Sequence, residues 1–189
     1  MGLFKMEHSA SAYRADFVLY GSAVVMMAVF LLVASPHQQR LEIAAFTLLG
    51  LVSWSVIEYA LHRFVLHGLQ PFQRWHMEHH QRPTALICTP TILSGALIAL
   101  LVFFPMLLLG DLWQACALTL GLLTGYLTYA ITHHAIHHWR ADSAWLKKRK
   151  HWHALHHHHL QPSCYGVTSA FWDHVFGSIQ RAIALSRSD

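Results

Sequence analysis

Of the eighteen histidines in this chain, fifteen fall in two stretches, 62–80 and 133–159. The densest run is Lys150-His151-Trp152-His153-Ala154-Leu155-His156-His157-His158-His159, six histidines in ten residues. It is not a purification tag, because thirty residues of ordinary aromatic-rich chain follow it. His153, His156 and His157 have i, i+3, i+4 spacing, which places three imidazoles on one side of a helix, and His76, His79 and His80 repeat that spacing. His133 with His137, and His134 with His138, are i, i+4 pairs. Imidazole suits iron, zinc, copper and nickel. One metal takes about four to six donors, so some ten convergent histidines point to two metals.

Competing metal chemistries fit the residues less well. The His-Glu-x-x-His pattern is absent, and His76-Met77-Glu78-His79 is one residue short of its inverted form. A ferritin-type di-iron bundle needs four carboxylates, whereas Glu58 and Glu78 are the only acids near the early histidines. The ligand set would thus be almost wholly neutral imidazole. His8, His37 and His174 stand alone and read as interfacial or capping residues.

The elements that must carry these histidines are those of a membrane protein. Hydrophobic residues make up 54% of the chain, charged residues 12%, and mean hydropathy is +0.35. Four apolar runs, 17–34, 41–61, 86–109 and 112–132, are long enough to span a bilayer as helices. Residues 62–85 and 133–189 then form a polar, histidine-rich cap. His62 and His67 continue the second helix beyond the membrane, as His133, His134, His137 and His138 continue the fourth. With four spans, twelve of the thirteen Lys and Arg residues lie on the side of the cap and both termini, and only Arg40 lies opposite. The positive-inside rule makes that side cytoplasmic. Lys147-Lys148-Arg149-Lys150 reads as a solvated face near anionic headgroups rather than a nucleic-acid site. The three cysteines, Cys88, Cys116 and Cys164, have no metal or disulfide spacing. Residues 1–15 lack signal-peptide character and are expected to stay on the chain.

These motifs resemble the histidine boxes of the fatty acid hydroxylase/sterol desaturase superfamily. Glu58-Tyr59-Ala60-Leu61-His62-Arg63-Phe64-Val65-Leu66-His67 is similar to the first box and His76-x-x-His79-His80 to the second. Gly125-Tyr126-Leu127-Thr128-Tyr129 running into His133-x-x-x-His137 is similar to the third. His153-x-x-His156-His157, Gly166-Val167-Thr168-Ser169 and Trp172-Asp173-His174-Val175-Phe176-Gly177 resemble the fourth box and its tail. The resemblance covers roughly residues 50–180, and its tail points to the fatty acid 2-hydroxylase branch. It implies ten metal ligands: His62, His67, His76, His79, His80, His133, His137, His153, His156 and His157. It also implies two metal ions, iron for activity with zinc able to occupy the site, and O2-dependent hydroxylation of a fatty acyl chain, at C2 by analogy with that branch. The sequence departs from the family pattern at Ala130, His134, His158 and Thr84-Ala85, none of which removes a ligand.

The expectation is therefore an all-α integral membrane protein, residues 1–189 forming one domain with a cytoplasmic cap around a dimetal centre. Glu58, His134, His138 and His158 are candidates to stand behind the ligands and orient them. Glu58 lies one turn before His62 and has an ion pair with Arg63 or another basic residue as its alternative role. Phe64, Trp75, Trp152 and Phe171 are candidates to wall an acyl channel or to anchor at the interface. The partners expected are a lipid substrate, the bilayer and a separate electron donor of cytochrome b5 or ferredoxin type. A bacterial inner membrane is the expected location, with endoplasmic reticulum as the alternative. The rival readings are a desaturase, carotenoid hydroxylase or sterol oxidase of the same superfamily, and, from another class, a metal transporter or non-catalytic metal-binding membrane protein.

Overall fold

The computed structural model describes residues 7–158 and 163–179, whose regular secondary structure is helical apart from one isolated antiparallel bridge, Glu7 to Ile87. The helices are α1 Ala10–Ala34, α2 Arg40–Ala60, α3 Phe72–Gln81, α4 Thr91–Ile98, α5 Phe104–Leu109, α6 Leu112–His138, α7 Ala144–His158 and α8 Phe171–Val175. A π turn, Leu61–Leu66, continues α2, and another, Ala99–Phe103, joins α4 to α5. Four stretches are long and apolar enough to cross a membrane: Ala10–Ala34, His37–Leu66, Thr91–Leu109 and Leu112–His138. The backbone divides into two compact units, Met1–Trp54 with Leu86–Leu127, and Ser55–Ala85 with Thr128–Asp189.

Local chemistry explains where these helices differ from the apolar runs. α1 starts at Ala10, ahead of residue 17, because Ser9 caps it: the Ser9 Oγ accepts from the Ala12 amide at 3.2 Å. The third span starts at Thr91 and not at residue 86. Pro90 has no amide hydrogen and biases residue 89 away from helix, while residues 86 and 87 are engaged by the N-terminal segment through the His8 amide and Glu7. Pro105 offers no amide to the carbonyl one turn earlier, which matches the π turn just before it.

In the first unit, α6 packs against α2 through small residues. A Cβ on Gly50 would strike the Leu118 carbonyl, and one on Gly121 would strike the Thr47 carbonyl. Backbone-to-backbone approach of this kind is how helices associate when lipid is as apolar as their side chains. Leu31, Cys116 and Ala117 form a core patched by Phe46, Phe103 and Trp113. Much of the remaining apolar surface faces outward, including Val18, Leu32 and Val33 on α1 and Leu108 and Leu109 on α5, as a lipid-facing surface requires. Two polar contacts lie inside this unit. Thr91 donates to Asp16 at 2.5 Å, and the Tyr20 and Ser94 hydroxyls meet at 2.7 Å. Gly121→Leu is expected to cost about 1–3 kcal/mol of stability through overpacking, read as a lower unfolding temperature in detergent.

In the second unit, Ala135, Ile136, Leu146 and Val167 form one core, and Cys164 and Ile179, with Trp152 and Leu155, form another. Every histidine in 62–80 and 133–158 belongs to this unit. Residues 1–6, 159–162 and 180–189, which include His159, lie outside the described residues.

Candidate metal centre

The second unit gathers nine imidazoles into two groups, His62, His67, His76, His80 and His156 in one, and His79, His133, His137 and His153 in the other. Within each group the candidate ligand atoms lie within 4.8 Å of one another. Each His-x-x-His-His helix serves both groups. From α3, His76 and His80 enter the five-histidine group and His79 the four. From α7, His156 enters the five and His153 the four. His157, the tenth, lies beside the second group, its Nε2 at 3.0 Å from that of His153, and its ring stacks on His80 at 4.1 Å. The i, i+3, i+4 spacing therefore divides its three imidazoles between two neighbouring sites.

His62 and His67 reach one site because of the π turn. Five residues along an α-helix would set them roughly 140° apart. A π turn, bonded i to i+5, returns them to one side, and their rings lie 5.3 Å apart.

The ring nitrogens show what the groups are suited to hold. His62 Nδ1 lies 2.5 Å from the Tyr165 carbonyl oxygen and His156 Nδ1 lies 2.7 Å from that of Ser163. A carbonyl only accepts, so both Nδ1 atoms carry hydrogen and both Nε2 atoms present bare lone pairs. Those lone pairs face other imidazoles: His62 Nε2 is 3.1 Å from His76 Nε2, and His156 Nε2 is 3.0 Å from His67 Nε2. His76 Nε2 is also 3.1 Å from His80 Nε2, and His153 Nε2 is 2.9 Å from His137 Nε2. Both ring nitrogens of His79, a residue 5% exposed, are buried without a hydrogen-bond partner. Converging lone pairs and an orphaned buried imidazole fit a cation at each group.

Burial keeps these imidazoles in the form a metal ion can bind. Burial, reinforced by neighbouring histidines, lowers His67 and His80 to about 4, His157 to about 3 and His79 to about 2. For the same reasons His76, His153 and His156 are held well below the ordinary histidine value. All seven are thus neutral near pH 7, as a nitrogen ligand must be.

Two buried carboxylates hold the segment that supplies those carbonyls. Asp173, on α8, accepts from the amides of Tyr165 and Gly166, both at 2.8 Å, and from the Ser178 hydroxyl at 2.6 Å. Glu58 accepts from the amides of Val167 and Thr168, both at 2.9 Å, and from the Thr168 hydroxyl at 2.6 Å. Four successive amides are thereby claimed by two side chains. A Cβ on Gly166 would collide with the Ser169 carbonyl, so the strap needs glycine there.

Of the residues expected behind the ligands, Glu58 is tied to the strap that orients His62. Arg63, its suggested partner, donates to the Tyr59 hydroxyl at 2.7 Å and lies over the Tyr165 ring. His134 and His138 stack on each other at 4.5 Å and belong to neither group; His158 is exposed. The basic run is not all solvated face, because Arg149 is 5% exposed and within electrostatic reach of Asp173 and Glu58. Trp152 packs into the Cys164–Ile179 core, whereas Phe64 and Phe171 are exposed. Sequence reasoning assigned no role to Asp173, Ser163 or Tyr165. An acid set among the aromatic residues of the tail was the available signal for Asp173. Carbonyl acceptors carry no signal in residue type.

The fatty acid hydroxylase family model matches residues 47–178, a stretch containing every histidine of both groups. The chain belongs to the fatty acid hydroxylase family. This family member is 34% identical over 149 residues to the dihydroceramide fatty acyl 2-hydroxylase FAH2 of Arabidopsis thaliana, covering 73% of this chain and 62% of that protein. It is 32% identical over 146 residues to the ceramide very long chain fatty acid hydroxylase scs7 of Schizosaccharomyces pombe, covering 70% of this chain and 42% of that protein. The chain therefore spans less than two thirds of the length of these curated relatives. A solved structure of full-length Scs7p, in which only the hydroxylase domain is visible, superposes with a TM-score of 0.76 at 27% identity over 92% of this chain and 67% of that one.

Proposed function

We propose that this chain is a membrane lipid hydroxylase that holds two metal ions, one in each histidine group, and uses O2 to hydroxylate a fatty acyl chain at C2. The observation carrying this reading is the pair of imidazole groups with Nε2 atoms turned inward, supported by relatives named as acyl 2-hydroxylases. These histidines would hold iron, which would supply the redox chemistry for reducing O2 and placing one oxygen atom in a C–H bond. The balance is one C–H, one O2, two electrons and two protons giving one C–OH and one water. The electrons require a donor, which we assign to a separate redox protein of cytochrome b5 or ferredoxin type.

The chain's own residues act as positioners. Neutral imidazoles hold the ions, and the Glu58–Asp173 strap fixes two of them. Burial of His156 and Asp173, each 1% exposed, keeps water from that side of the site. An acyl chain entering from the bilayer has its reacting carbon selected by where it is held, so position sets regiochemistry. We place the cap and both termini on the cytoplasmic side, since twelve of thirteen basic residues lie there. The orientation is the same in a bacterial inner membrane, our preferred location, or in endoplasmic reticulum. We treat residues 1–189 as one functional domain.

The test is mass spectrometry of lipids from cells expressing the chain under 18O2. The expected product is a 2-hydroxyacyl lipid carrying one 18O. An unlabelled, newly unsaturated acyl chain would replace this reading with a desaturase.

A further inference from the structure

The two histidine groups are built alike in ligands but not in what stands behind them. Both backbone carbonyls that fix a ligand's ring, Ser163 for His156 and Tyr165 for His62, come from the strap, and both ligands belong to the five-histidine group. Among the described residues, none of His79, His133, His137 and His153 has a hydrogen bond to a backbone carbonyl through its ring, and neither ring nitrogen of His79 has a hydrogen-bond partner.

The strap itself is over-determined. Asp173 takes the amides of Tyr165 and Gly166 and Glu58 those of Val167 and Thr168, while the Ser178 and Thr168 hydroxyls add a third hydrogen bond to each carboxylate. Glu58 stands four residues before His62 on the helix that runs into the π turn, so the strap is pinned to the ligand's own backbone. Cys164, between the two donated carbonyls, is held at φ 56°, a conformation non-glycine residues rarely adopt and keep only when their surroundings impose it. Hydrogen bonds to carboxylates are the stronger kind and survive burial when every lone pair is used.

We infer that Glu58 and Asp173 are positioning residues for one metal only: through the 163–168 strap they preset His62 and His156, so the five-histidine group binds its ion with an affinity that depends on them, while the four-histidine group does not. This rests on the two-metal reading above. Groups that hold a ligating histidine in place typically contribute ten- to a hundredfold in metal affinity, and here that contribution falls on a single site.

The experiment is chelator competition on full-length protein in detergent, loaded with zinc, and on the same protein loaded with cobalt to follow its visible bands. Wild type is compared with Glu58→Gln, Asp173→Asn and the milder Thr168→Val, which deletes only the 2.6 Å hydroxyl contact. The expected result is two ions in wild type and, in Glu58→Gln and Asp173→Asn, one ion released at least tenfold more readily with the other unchanged. Thr168→Val should show the same one-site effect at smaller size without loss of folded protein. Equal weakening of both ions, or no change in either, would overturn the inference while leaving two-metal binding intact. Wild type that binds one ion or none would overturn the two-metal reading and this inference with it.

Discussion

Replacing His156 with alanine is expected to abolish hydroxylation and to lower bound metal from two ions per chain to one, with membrane insertion unchanged. His156 is 1% exposed and joins two parts of the site. Its Nδ1 donates to the Ser163 carbonyl, and its Nε2 stands 3.0 Å from His67 Nε2. Alanine leaves that carbonyl without its donor and removes one of five converging lone pairs, so the loss exceeds that of a ligand at the rim of the group. We expect at least a hundredfold fall in labelled product, measured beside elemental analysis of the purified protein. His37→Ala, on the short turn before α2, serves as control and should keep both ions and full product. Wild-type turnover in His156→Ala under reducing, aerobic conditions would remove the histidine groups from the chemistry.

Acidification is expected to empty the site and destabilise the second unit together. The folded-state values of His67, His76, His79, His80, His153, His156 and His157 all lie below the ordinary 6.5, because burial disfavours the charged form. Between that ordinary value and the lowered ones, the unfolded chain binds more protons than the folded chain. Stability is therefore fully present above about pH 6.5 and falls as pH drops toward 4, where His67 and His80 themselves begin to protonate. Protons also compete directly for the lone pairs that hold metal. Thermal unfolding and retained metal, followed from pH 7.5 to 4.5, should decline in parallel, with most of the change below pH 6.5. A flat profile over that range would mean the imidazoles are not buried neutral ligands.

The histidines that the structure gathers were legible in the sequence because their signal is local: residue type and i, i+3, i+4 spacing single out His76, His79, His80, His153, His156 and His157 with no knowledge of packing. The apolar runs likewise located four membrane-length helices, missing mainly at ends decided by Ser9 and Pro90. How the three imidazoles of one motif divide between two groups was not legible, since spacing gives a side of a helix and not what faces it. The π turn was hidden for a related reason, because nothing in Leu61–Leu66 distinguishes it from the helix before it. Asp173 and the strap were the least visible. Their contribution passes through backbone amides 109 or more positions from Glu58 and a carbonyl 103 from His62, and such contacts leave no trace in local pattern. Arg149 shows the converse, a basic residue in a basic run that packing drew inside.

The division of ligands between the groups also sets an order of events during synthesis. His62, His67, His76 and His80 lie within nineteen residues, so four of the five donors of one group exist as soon as the chain reaches α3. The other group then has His79 alone, and gains His133, His137 and His153 only after the third and fourth spans have been made. Closing a short loop costs less entropy than closing a long one. Most of the first group is thus available to a nascent chain early, before His156 arrives to complete it. The second has a single histidine until the end of the fourth span is made, and lacks its last, His153, until α7 is synthesised.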